Sequence, residues 1–237
     1  MFFFDPMYLL FLLPGMALAA WAQWRVKSAF NWASGIRPQS GYRGVAAAIL
    51  HAEHIDNVRI EPSTGFLSDH YDPAEKVLRL SPDVGEGVSL AAVGVAAHEA
   101  GHAIQDARGY RLLVMRNTLV PLANFGSSAS WLIIMAGFLL AYLQMFEVGR
   151  LLVYVGIAAF SLTVFFQLVN LPVEFDASRR ARVALQDTGL VTPEEDAAVA
   201  KVLNAAALTY VAATLTAILT LLYFLFRAGL LGGRSRG

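Results

Sequence analysis

Cysteine is absent from the 237-residue chain. That removes disulfides, thiolate nucleophiles and cysteine metal ligands together, so any metal must be held by nitrogen and oxygen. An excess of charge is missing as well, because 18 Lys and Arg balance 18 Asp and Glu. A zero net charge offers no basic surface for nucleic acid, and none is expected as a partner. Histidine is scarce, with five in the chain, so two of them close together carry information. Charge is also missing locally, from four long stretches. With 57% hydrophobic residues against roughly 45–50% in soluble domains, the chain reads as a membrane protein.

The four uncharged stretches are 6–24, 117–146, 151–173 and 202–226. Each meets the requirement of about 20 mostly apolar residues for a hydrocarbon core about 30 Å thick. Residues 17–19, "ALA", resemble a signal-peptidase site, but no Lys or Arg precedes the first stretch as in a signal peptide, so it is expected to be an anchor. Arg25, Lys27, Arg37 and Arg43 follow the first stretch, only Arg150 lies between the second and third, and Arg179, Arg180, Arg182 and Lys201 follow the third. The positive-inside rule then puts 25–116 and 174–201 in the cytoplasm and the N-terminus outside. Parity would put the tail with Arg227, Arg234 and Arg236 outside, against that rule. The expected organisation is an anchor (1–24), a catalytic segment (25–116), a membrane hairpin (117–173), a cytoplasmic helix (174–201) and a last span with its tail (202–237).

Within 25–116, "SGYRGVAAAILHAEHI" reads as a short helix with Ser40 as N-cap, weakened by Gly41 and Gly44. "NVRIEP" and "KVLRLS" read as strands, "STGF" between them as a turn and "SDHYDP" as a loop. "KVLRLS" is a candidate edge strand that takes an extended substrate by main-chain pairing. His51 and His54 read as a solvated helix end. Residues from Val88 to about Ala107 read as a buried helix, too short to span a membrane.

That helix carries "GVAAHEAGHAIQ", with the HExxH spacing at His98, Glu99 and His102. Positions i and i+4 share a helix face, so both imidazoles can reach one zinc ion, and Glu99 between them can take the proton of a water that the ion acidifies. A catalytic zinc of this kind needs a third His or Glu and one open position. "HEAGHAIQDARG" has no third histidine. The candidate is Glu174 in "NLPVEFDASRRARVAL", returned to the same membrane face by the hairpin. Glu174 has two alternative readings, as the charged end of a membrane helix or as an ion-pair partner of Arg179 or Arg180. Candidate donors for a reaction oxyanion are His70 and Tyr71, with Tyr110 and Arg179 behind them.

"GFLSDHYDPAEKVLRLS", "SLAAVGVAAHEAGHAIQ" and "LPVEFDASRRA" occur in order, and together they resemble the YugP-like family of neutral zinc metallopeptidases of bacterial membranes. The resemblance implies His98 and His102 as ligands, Glu99 as catalytic residue and a glutamate-type third ligand. More broadly the chain is similar to HtpX-like and CAAX-prenyl-protease zincins, which cut from the cytoplasmic side. Those enzymes usually have an aspartate four residues after the ligand glutamate to orient a zinc histidine. Here that position is Ser178, and Asp176 falls on roughly the opposite helix face.

The expected protein is therefore a mainly α membrane protein with about four transmembrane helices and a cytoplasmic zincin-like α+β catalytic region containing a small sheet. Its expected function is gluzincin-type endopeptidase action, with one Zn2+ per chain, on peptide or membrane-protein substrates at the bacterial inner membrane. Two other classes compete. A catalytically silent zinc-binding membrane adaptor would not need an intact Glu99. An ion transporter would place ionisable residues inside the spans, where this chain has none.

Overall fold

Hydrophobic runs without charge have one way to satisfy their backbone in lipid, which is to fold as helices. The computed structural model describes residues 6–41, 43–65 and 68–231. Its elements in chain order are α1 (Pro6–Ser34), α2 (Val45–Ala52), β1 (Arg59–Pro62), β2 (His70–Asp72), β3 (Val77–Leu80), α3 (Pro82–Gly85), α4 (Leu90–Ala107), α5 (Arg111–Tyr142), α6 (Phe146–Asp187) and α7 (Pro193–Arg227). The helices α1, α5, α6 and α7 are long and apolar enough to cross a membrane. Arg234 and Arg236 of the tail lie outside the described residues.

Each of these helices extends past its apolar stretch at one end or both, although α5 stops at Tyr142, inside the second stretch. The helix that begins before the third stretch does not stop at Glu174 but continues as α6 to Asp187. The helical residues after Glu174 are thus the end of the membrane helix and not a separate element. α7 likewise starts nine residues before the fourth stretch, at Pro193. A capping box sets that start: Thr192 N–H donates to Glu195 Oε2 at 2.8 Å, and Glu195 N–H to Thr192 Oγ1 at 3.3 Å. Pro193 in the first turn and Glu194, Glu195 and Asp196 beside the positive end of the helix dipole strengthen it.

The chain forms two compact units. One comprises the described parts of 1–20, 115–171 and 210–237, and the other comprises 21–114 and 172–209. In the first, α5 and α6 run antiparallel with their backbones in close contact. A Cβ on Gly137 would lie 2.7 Å from the Gly149 carbonyl oxygen, and one on Gly126 would lie 2.7 Å from that of Ala159. Small residues of this kind let membrane helices gain contact area where no hydrophobic driving force acts between them. Tyr8, Trp131, Tyr223, Phe224 and Phe160 form an aromatic cluster in the same unit.

The second unit surrounds α4. Its alanine-rich sequence leaves Ala91, Ala96, Ala97, Ala100 and Ala103 buried and lets neighbours approach from several sides. Ser89 caps its start by accepting from Ala92 N–H. The sheet has the order β1-β3-β2, with β1 parallel and β2 antiparallel to β3. β3, which is "VLRL" of the expected edge strand, is therefore the central strand, and its main chain is used on both sides. The edges are β1 and β2. β2 forms inside "SDHYDP", expected to be a loop, because burial of Tyr71 opposite Leu78 fixes it. α2 begins at Val45 and not at Ser40. Gly41 and Gly44 have φ of +58° and +73°, outside the helical region, and the Ser40 hydroxyl donates to the Leu190 carbonyl instead.

Gly137→Ala places a methyl group against Gly149 and Val153 and is expected to destabilise the α5–α6 hairpin by about 1–3 kcal/mol. Thermal unfolding in detergent measures this, and an unchanged midpoint would contradict the close packing.

Candidate metal centre

The close approach of α4 and α6 depends on two small residues. A Cβ on Gly101 would stand 2.4 Å from the Ala177 carbonyl oxygen. Ala177 and Ala181 are fully buried along the same contact. At this separation Glu174 and Ser178, one turn apart on α6, reach the histidines of α4.

Glu174 Oε2 lies 3.3 Å from His98 Nε2 and 3.6 Å from His102 Nε2. One ligand atom from each of the three residues lies within 4.8 Å of the others. Ligands at roughly 2.0–2.1 Å from a tetrahedral zinc stand about 3.3–3.4 Å apart, and the two separations are close to the edges of such a site. The donor set also fits, with two imidazoles and a carboxylate. Glu174 is 4% exposed, and a carboxylate buried that far needs a cation or several donors. Arg179 and Arg180 are not those donors, since both bind Asp176 instead.

The far side of each imidazole is also held. His98 Nδ1 meets Ser178 Oγ at 3.1 Å, and His102 Nδ1 meets Gln105 Oε1 at 3.0 Å. Gln105 in turn donates to the Val173 carbonyl at 2.8 Å and to Asp176 Oδ2 at 3.0 Å. Asp176 thus faces the site after all, through the reach of Gln105. The sequence reading assigned nothing to Gln105, although it stands at i+3 from His102 on the buried face of α4.

Glu99, next to His98, is partly buried, and its Oε2 accepts the main-chain N–H of Tyr71 at 3.0 Å. Burial pushes its carboxyl up to about 7. The charges of Glu174 and Asp69 add to this rise, while His98 and the Tyr71 N–H oppose it.

The four candidate oxyanion donors are placed as follows. The Tyr71 hydroxyl donates to Asp106 Oδ2 at 2.5 Å, which also takes Lys76 Nζ at 2.5 Å. Burial and that carboxylate raise the hydroxyl well above its ordinary pKa, so it stays protonated. Tyr71 therefore reaches Glu99 with its backbone and not its ring. The exposed His70 donates from Nδ1 to the Ser68 carbonyl at 2.7 Å. Tyr110 lies under the Arg180 guanidinium, 5.6 Å from its ring centroid, and Arg179 binds Asp176. His51 and His54 are exposed.

Comparison with known proteins gives the family of the chain. Residues 8–229 match the family model described as "Putative neutral zinc metallopeptidase". The chain is 42% identical over 220 residues to the "Putative membrane protease YugP" of Bacillus subtilis (strain 168), covering 92% of this chain and 95% of that one. No solved structure matches it.

Gly101→Ala forces α4 away from Ala177 and is expected to lower both thermal stability and bound metal. Gly94→Ala is the control, because its new methyl would lie at 3.4 Å from Val199 Cγ1 and should leave the metal content unchanged. Metal analysis of the purified variants compares them. Equal metal in both would mean that the helix contact does not set the ligand geometry.

Proposed function

Because the chain belongs to that metallopeptidase family, we propose that it is a membrane-integrated zinc endopeptidase, one zinc per chain, that hydrolyses peptide bonds of membrane or membrane-proximal proteins. The observation that carries this reading is the buried Glu174 carboxylate within 3.3 and 3.6 Å of the two Nε2 atoms of an HExxH helix. His98, His102 and Glu174 would hold the ion, which when bound supplies a Lewis acid that acidifies water and polarises a peptide carbonyl.

The remaining steps belong to the chain. Glu99 takes one proton from the attacking water and delivers it to the amine that leaves when the C–N bond breaks. The Tyr71 N–H keeps one oxygen of that carboxylate fixed and leaves the other for the proton. β2 is the edge strand that touches Glu99, so an extended substrate pairing beside it would run past the base. In this reading the main-chain docking role passes from β3, whose two sides are occupied, to β2.

The membrane context supports a cut close to the lipid surface. Glu174 follows Leu171, where the apolar unit ends along α6, by three residues, about 4.5 Å of helix rise. Arg25, Lys27, Arg37, Arg43, Arg179, Arg180, Arg182 and Lys201 belong to the unit that holds the site, while Arg150 belongs to the other unit, in the first turns of α6. The positive-inside rule then supports a multi-pass protein of the inner membrane with its site on the cytoplasmic side.

Glu99→Gln is expected to retain zinc and to lose roughly 10²- to 10⁴-fold of cleavage rate, the usual contribution of a positioned acid–base group. Cleavage of casein or of reconstituted membrane proteins, read alongside metal content, checks this. Undiminished cleavage would remove Glu99 as the base. A wild-type protein that binds zinc and cuts nothing would leave the adaptor reading in place. Glu174→Ala is expected to lose bound zinc, and a wild-type metal content would remove it from the ligand set. Comparison of membrane proteomes between wild-type and Glu99→Gln cells then identifies substrates as proteins whose fragments disappear.

A further inference from the structure

Gln105 is fully buried, at 0% exposure, so each polar atom of its amide must find a partner. Its two N–H groups face the Val173 carbonyl and Asp176 Oδ2. Both are acceptors. Val173 offers a main-chain oxygen, and Asp176 is held as a carboxylate by Arg179 and by Arg180 Nε at 2.5 Å. Turning the amide over would set its oxygen against two other oxygens. The orientation is therefore fixed by chemistry, and the remaining atom, Oε1, must face His102 Nδ1 at 3.0 Å.

An amide oxygen accepts and cannot donate. His102 must then carry its proton on Nδ1, which leaves the lone pair on Nε2, the nitrogen directed at Glu174. His98 has no such constraint, because the Ser178 hydroxyl on its Nδ1 can either donate or accept. We propose that Gln105 is a positioning residue that locks His102 in the Nδ1–H tautomer, with its own orientation set by Asp176, so that one histidine is fixed as an Nε2 donor before any metal arrives. The lock rests on the metal-centre reading for its purpose but not for its existence, since it is a property of the metal-free protein.

The full-length chain, 15N-labelled at histidine and metal-free in detergent micelles at mildly alkaline pH, reports tautomers directly through long-range 15N–1H correlations. The His102 signal is the one lost in His102→Gln. The wild type should show His102 protonated on Nδ1. Gln105→Glu keeps an acceptor at that atom while losing both donations, and should keep the tautomer. Gln105→Leu removes the acceptor and should move His102 towards the Nε2–H form. Competition with a chromophoric chelator should then show zinc bound roughly 10- to 100-fold more weakly by Gln105→Leu, the usual loss when the partner of a metal-binding histidine is removed. Gln105→Glu should lose less.

An Nε2–H form of His102 in the wild type would overturn the proposal. So would a Leu variant with wild-type tautomer and zinc affinity, even if it unfolds at a lower temperature, because that pattern marks a merely structural glutamine. Should the Leu variant fail to fold, the wild-type and Glu spectra still decide. A wild type with the Nδ1–H tautomer that takes up no zinc would uphold the lock and overturn the metal reading instead.

Discussion

A carboxylate that is 4% exposed, between two imidazole nitrogens, is the constraint from which the rest of the candidate metal centre follows. Withdrawing Glu174 from water is costly unless positive charge or strong donors compensate. The two arginines one turn away on α6 are committed to Asp176. The imidazoles of His98 and His102 face it from across the helix contact, where α4 and α6 pack backbone to backbone at Gly101 and Ala177. A larger residue at either position would widen the contact, and side chains as short as glutamate and serine would no longer reach the histidines. The alanines of α4 serve the same end, since a helix approached by the sheet and by α2, α3, α6 and α7 has no room for bulk.

Much of this was legible from the residues. Helical periodicity placed His98 and His102 on one face with Glu99 between them, and the hairpin argument selected Glu174 from the many carboxylates of the chain. The helix ends were harder to read, because hydropathy marks where a helix meets lipid and not where its hydrogen bonds stop. α6 crosses from apolar to charged sequence at Glu174 without interruption. The start of α7 was written locally, in the Thr192–Glu195 capping box, but the hydropathy window began later. β2 was not legible. Three residues beside a proline carry no period, and what makes them a strand is non-local: Tyr71 is buried against Leu78 and its hydroxyl is tied to Asp106 of α4. The same tie explains why Tyr71 could be placed near the site from its neighbours while its ring points elsewhere.

Gln105 shows the other limit of the sequence reading. A glutamine after HExxH has no meaning until the partners on α6 are known, and those lie 68 and 71 positions away. The sequence does show that the familiar aspartate position holds Ser178. In the structure the carboxylate-backed partner falls on the other histidine. His98 receives a neutral hydroxyl, and His102 receives an amide backed by a doubly paired carboxylate.

That asymmetry suits a site carried by a membrane helix. Charge from Asp176, which is buried and paired with Arg179 and Arg180, reaches His102 only through a neutral amide. An aspartate in direct contact with His98 would have placed a second carboxylate in the same low-dielectric space, where like charges repel strongly. Moving it outward by the length of a glutamine keeps the orienting effect and removes most of that repulsion. The fold thus sets a deeply buried carboxylate beside the two histidines and orients their rings with dipoles.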